Sequence, residues 1–239
     1  MQPLQIENLS AWYKPGELIL EQIELHLEPG RIYGLLGVNG AGKTTLLHTL
    51  CGLNRHFSGQ FSLSESGIGP ESTEAEWYTA KSKRYLATDA PVLFNELTMR
   101  GYVEFIHKLY HRSLDNGELV HLARQFHCEV YLDRWVSELS LGNKQKTVLM
   151  TGLLLNVSLF ILDEPLVGLD VESIEVFHTQ INDYCKRGGT VLFSSHLLEI
   201  VQRFCESVFI LHNKRIALHV PIHPDTDLHR IFFEAVRHE

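Results

Sequence analysis

The 239-residue chain lacks most of what marks a secreted, membrane-spanning or nucleic-acid-coating protein. Its four cysteines, Cys51, Cys128, Cys185 and Cys205, are widely spaced and form no C-x-x-C pair. That spacing speaks for a reducing, cytosolic compartment in which each thiol is a small buried apolar side chain. Long apolar runs are missing too. The most apolar stretch, Val148 to Leu162, is broken by Thr151, Asn156 and Ser158, short of the ~18–20 residues a membrane helix needs. Met1-Gln2-Pro3-Leu4-Gln5 has neither the basic nor the apolar region of a secretion signal. Positive charge is also in deficit: the formal net charge of −8 argues against a phosphate backbone as partner, so no nucleic acid is expected. No internal repeat is visible. Of fourteen histidines only His196 stands in a context that carries chemistry.

What the chain does carry is Gly37-Val38-Asn39-Gly40-Ala41-Gly42-Lys43-Thr44, followed by Thr45, a G-x-x-x-x-G-K-[ST] phosphate-binding loop. The strand-like run Arg31 to Leu36 precedes it and a helix-like run, Thr45 to Leu50, follows it. Glycines let successive backbone N–H groups curl around phosphate oxygens, and the helix N-terminus adds its positive dipole end. Lys43 is then expected on the β- and γ-phosphates of ATP, with the Thr44 hydroxyl on Mg²⁺.

Leu4 to Tyr13 and Leu18 to Leu27 alternate in the manner of strands, with turns at Lys14–Glu17 and Pro29-Gly30. Ser58 to Leu63 suggests a turn and an edge strand. Residues 64–83 are polar and are expected to hold little beyond a short helix near Glu74–Ala80. Tyr85-Leu86-Ala87 reads as a short strand. Residues 98–156 then show apolar residues at helical spacing and form a helical insertion. Leu159–Leu162, Thr190–Phe193 and Val208–Leu211 are apolar on both faces, as expected of central strands in a covered parallel sheet. A helix over about Glu172–Cys185 turns Ile174, Phe177, Ile181 and Tyr184 inward. The fold class expected is α/β, a phosphate-loop parallel-sheet core with an N-terminal antiparallel β-subdomain and an inserted α-helical subdomain, one domain over residues 1–239.

The apolar run Leu159 to Leu162 ends in Asp163-Glu164. A buried strand ending so can bring Asp163 to Mg²⁺ through water and leave Glu164 to orient or deprotonate the attacking water. Here the sequence resembles the ATP-binding-cassette ATPases over nearly its whole length. Leu139-Ser140-Leu141-Gly142-Asn143 stands where that family has Leu-Ser-Gly-Gly-Gln, Asp163 to Asp170 matches its acidic pair and following loop, Ser194-Ser195-His196 matches its switch histidine, and Tyr13 its adenine-stacking aromatic. The resemblance implies a head-to-tail dimer, most simply of two identical chains. Each ATP would lie between one phosphate loop and the other subunit's Ser140 and Gly142, with His196 holding the γ-phosphate and Glu164's water. It also implies a separate transmembrane permease, reached from the cytoplasmic face of the membrane, and a stand-alone exporter cassette.

Leu141 replaces the signature's first Gly and Asn143 its Gln, while Lys144-Gln145-Lys146 matches the continuation found in one branch of bacterial exporters. Where the family presents a Gln to Mg²⁺ and to the membrane partner, this chain has Thr88 or Asp89, depending on a one-residue choice of alignment. Two other readings share these motifs: a soluble cassette ATPase without transport, and a nucleotide-binding regulatory subunit with little turnover. The intact Lys43, Asp163, Glu164 and His196 speak against the second.

Overall fold

Alternation at the start of the chain builds a hairpin. In the computed structural model β1 (Leu4–Trp12) buries Leu4, Ile6, Leu9 and Ala11, and pairs antiparallel with β2 (Leu18–Leu27). The alternation is loose because the register slips near Asn8 and Gln22, both at φ 49°, where bulges shift the pleat. The structure describes residues 4–63 and 66–237. Residues 1–3, part of the stretch read as lacking a signal, and residues 64–65, inside the polar stretch, lie outside the described residues.

The strand β3 (Ile32–Leu36) leads into α1 (Lys43–Cys51). The next strand, β4 (Phe57–Leu63), is not at an edge, as its sequence had suggested. It lies between β1 and the three-residue β5 (Ser66–Ile68), giving a sheet ordered β2-β1-β4-β5. A strand as short and polar as β5 has no periodicity from which to be read. After it, α2 (Glu74–Lys81) starts with a capping box between Thr73 and Glu76.

The second sheet contains β3, β6 (Arg84–Thr88), β7 (Leu159–Asp163), β8 (Thr190–Ser194), β9 (Ser207–His212) and β10 (Arg215–Pro221), in the order β10-β9-β3-β8-β7-β6. All neighbours are parallel except β10, which folds back on β9 through Asn213 and Lys214, both at positive φ. Largely exposed, β10 shows no apolar alternation, and the sequence reading passed over it. The central strands are apolar on both faces for a physical reason. Phe160, Leu162 and Phe193 pack under the helices, whereas Leu159, Ile161 and Leu192 pack toward α1 and the antiparallel sheet. Each such burial contributes roughly 1.5–3 kcal/mol.

Between β6 and β7 the regular structure is helical: α3 (Met99–Leu109), α4 (Asn116–Gln125), two 3-10 turns and α5 (Leu141–Leu155). Thr98, Asp115 and Ser140 cap the three helices with side-chain oxygens. The apolar run Val148 to Leu162 is divided at Asn156, whose φ of 45° ends α5 before β7. α6 (Val171–Lys186) is capped by Asp170 and buries Phe177, Ile181 and Tyr184 completely, Ile174 in part. α7 (Leu198–Phe204) and α8 (Leu228–Arg237) complete the chain. Among the described residues no helix is long and apolar enough to cross a membrane. The order β3-β8-β7 is what builds the site, since the carboxyl ends of three adjacent parallel strands face one crevice.

Candidate functional site

At the end of β3 the chain must turn sharply into α1. Gly42 makes that turn at φ 107°, and a Cβ there would stand 2.7 Å from Leu20 Cδ2. No side chain caps α1, so its first N–H groups and its dipole face the crevice. An open cavity of about 410 Å³ lies over this turn, lined by Ile19, residues 39–45, Asp163 and Glu164. Lys43 is buried, and its ammonium donates to Gly37 O (2.7 Å) and Val38 O (3.4 Å). Burial pulls its pKa below the ordinary lysine value, opposed by the nearby Glu164 and Asp163 carboxylates.

Both carboxylates at the end of β7 are held by side chains from elsewhere. Thr44 Oγ1 donates to Asp163 Oδ2 at 3.0 Å, and Ser194 Oγ donates to Asp163 Oδ1 at 2.5 Å. Glu164 stands at φ 48°, uncommon for a residue with a side chain, and its backbone N–H donates to Ser194 O at 3.2 Å. An ionised carboxylate only accepts, so His196 Nδ1 donates to Glu164 Oε1 at 2.8 Å while Ser195 Oγ donates to Oε2 at 3.3 Å.

Ser140, Gly142 and Tyr13 are not among the residues lining this cavity. Ser140 lies on the surface, its hydroxyl accepting from Asn143 N at 3.3 Å, and Tyr13 is exposed just after β1. The loop after Glu164 runs against the start of α5 within the same chain. Gln145 Nε2 donates to Pro165 O at 2.9 Å, and Lys146 Nζ pairs with Asp170 Oδ2 at 2.9 Å. Burial disfavours ionisation of Asp170, but hydrogen bonds from Ser173 and Lys146 outweigh it and hold its pKa far below the usual carboxylate range. A Cβ on Gly142 would stand 2.5 Å from Gly168 O, and a Cβ on Gly168 would stand 3.3 Å from Cγ of the half-exposed Leu141. Gly142 is therefore demanded by its own chain, a constraint the sequence reading had assigned only to a facing subunit. Gly142→Ala should lower the stability of the empty subunit by about 1–3 kcal/mol, the usual cost of forcing volume into a packed contact. A reduced urea midpoint at unchanged slope reads this, and an unchanged midpoint would show that Gly168 gives way freely.

Thr88 and Asp89 stand differently toward the site. Thr88 pairs in register with Asp163 on the neighbouring parallel strand, so its side chain leaves the same face of the sheet, whereas Asp89 lies exposed beyond the strand end. The sequence reading missed Ile19 as a cavity wall, as well as the contacts of Ser194, Ser195, Gln145 and Lys146. The two serines stood beside the switch histidine, and their hydroxyls were the available signal. Larger grooves, about 790 Å³ along α4, α5 and α6 and about 820 Å³ between the two sheets, bring together no comparable set of groups.

A parallel sheet whose phosphate loop is flanked by a hydroxyl-bound carboxylate and a carboxylate–imidazole pair has the parts of a nucleotide hydrolase, not merely of a nucleotide binder. Comparison with known proteins makes the class specific. The family model of ABC transporters matches residues 20–167, and the chain belongs to that family, as its ATP-binding and ATP-hydrolysing subunit. It is 56% identical over the whole length of both chains to AlbC of Bacillus subtilis (strain 168), which carries the name of an ABC transporter ATP-binding protein. It is 30% identical to the SkfA peptide export ATP-binding protein SkfE of the same organism, over 92% of this chain and 91% of SkfE. A solved structure of an ATP binding subunit of an ABC transporter superposes with a TM-score of 0.86 at 27% identity, covering 97% of this chain and 98% of the other.

Proposed function

We propose that the chain, as a single domain with residues 98–156 as its helical subdomain, hydrolyses ATP in a head-to-tail pair of cassettes. The pair drives a separate membrane-spanning subunit from the cytoplasmic face of the membrane, and the direction of transport is export. The observation that carries this reading is the convergence at the phosphate loop of the Thr44–Asp163 and His196–Glu164 contacts. Residues 37–45 cradle the phosphates, with Lys43 leaving the carbonyls it now occupies for the β- and γ-oxygens. Tyr13 offers an exposed ring for adenine.

A hydroxyl and a carboxylate in contact at the phosphate loop are hard oxygen donors that suit Mg²⁺, which keeps most of its shell as water and phosphate. Among the described residues no group of three or more His, Cys, Asp and Glu could cage a metal. Thr44 and Asp163 would hold Mg²⁺, with Thr88 on the same face of the sheet as Asp163, and it would supply positive charge against the phosphates. Glu164 takes the proton from the attacking water. His196 can donate to Glu164 and to the γ-phosphate together only as the doubly protonated ring.

The motif loops also expose apolar side chains, Val38, Leu141, Val167, Val171 and Leu197, that a facing cassette would cover. Ser140, Gly142 and the N-terminus of α5 would then meet the other subunit's γ-phosphate. A second apolar surface follows β6, where Val92 is 92% exposed and Phe94 packs edge-on against Phe105, and it suits a helix of the membrane subunit. Export as the direction draws on the likeness to SkfE. Solubilising native membranes in mild detergent and capturing the tagged chain should bring down a polytopic membrane protein in stoichiometric amount. Capture of the cassette alone, under conditions that preserve known transporter complexes, would favour the soluble ATPase instead.

A further inference from the structure

Ser194, Ser195 and His196 are consecutive, and each aims a donor at an acidic oxygen at the end of β7. The cause is the register of two parallel strands: Asp163 lies opposite Ser194, so the residues just beyond meet Glu164. The three contacts are unequal in kind. His196 is mostly exposed, and its ring is the group that must also meet the γ-phosphate. Ser195 is 4% exposed, and its hydroxyl accepts from Leu197 N at 3.1 Å while donating to Glu164 Oε2 at 3.3 Å. The backbone N–H thus occupies one lone pair of the hydroxyl and directs its proton to the carboxylate.

We propose that Ser195 is a positioning residue for ATP hydrolysis: its buried hydroxyl, oriented by Leu197 N–H, keeps the Glu164 carboxylate aimed when His196 turns to the phosphate. The inference rests on the reading of Glu164 as the base that takes the water's proton. The backbone of Glu164 is secured by Ser194, but a glutamate side chain retains rotamer freedom beyond its Cα. With His196 engaged elsewhere, Ser195 is the remaining tether on the carboxylate among the hydrogen bonds of the described residues. Ser195 is buried and its hydroxyl is engaged by Glu164 and Leu197 N, so its effect should fall on turnover and not on nucleotide binding.

The test is a double-mutant cycle on MgATP hydrolysis by the full chain. Ser195→Ala should lower kcat about tenfold, the order expected for one hydrogen bond to a charged group, with KM and ATP affinity unchanged. In the Glu164→Gln background, where no carboxylate is left to aim, Ser195→Ala should lower the residual rate no further. Wild-type turnover for Ser195→Ala, a rise in KM that accounts for the loss, or an equal loss in both backgrounds would overturn the proposal. Wild-type turnover for Glu164→Gln alone would remove the reading beneath it and the proposal with it, an outcome distinct from the other three.

Discussion

Glu164→Gln is expected to bind MgATP as the parent does and to lose ~10²–10⁴ of its turnover, the range that general-base assistance supplies. The amide fills the volume of the carboxylate and can still accept from Ser195 or His196, so the strained backbone at φ 48° has no new reason to move. What it cannot do is take a proton from water. If ATP closes the pair of cassettes and hydrolysis reopens it, the variant should accumulate as a long-lived ATP-bound dimer on size exclusion. Turnover within a few-fold of wild type would take Glu164 out of the chemistry. The assay must be run with the metal present, because Asp163 and Thr44 are untouched by the substitution and ATP binding should stay metal-dependent.

Lys43→Met should weaken ATP binding by roughly tenfold to a hundredfold, since a hydrogen bond to a charged group contributes about 1.5–3 kcal/mol. Its second consequence is less obvious. Lys43 is a buried cation whose hydrogen bonds among the described residues go to carbonyl oxygens, and burial, only partly offset by Glu164 and Asp163, holds its pKa below the ordinary value. Such a group costs stability while it is charged. That cost is complete below the folded-state pKa and fades as pH rises from there to the unfolded value. Near neutral pH the empty Lys43→Met protein should therefore melt no lower than wild type, yet show little of the rise in melting temperature that ATP gives wild type. A lowered melting temperature without nucleotide would mean that the Lys43 carbonyl contacts hold the loop together. An undiminished ATP-induced rise would mean that the phosphates bind elsewhere.

The parts of the fold that were legible share a local cause. The phosphate loop needs glycine where φ is positive and space is short, as at Gly42, and that need is written in residue type. The strands β7, β8 and β9 were legible because burial on both faces forces unbroken apolar runs. The helical stretch between β6 and β7 was marked by apolar residues at helical spacing, which α3, α4 and α5 bury. The misses have the opposite character. β5 is too short to show a period, β10 is too exposed, and β4 reads as an edge strand in sequence because β5, which covers it, leaves no periodic trace.

By itself the sequence determined the chemical vocabulary of this protein: the loop, the acidic pair, the signature stretch and the histidine, each recognisable from neighbours in the chain. Only the tertiary structure decided which of these touch. Strand order sets β8 between β3 and β7, which delivers Ser194, Ser195 and His196 to the carboxylates. Pairing register gives Thr88, not Asp89, the face of Asp163. The approach of α5 to the loop after Glu164 sets Gly142 against Gly168 and ties Lys146 to Asp170. The reason is that local periodicity reports only which face of an element is buried. Contacts between distant segments depend on how those faces are stacked, and stacking is settled by packing the whole core at once.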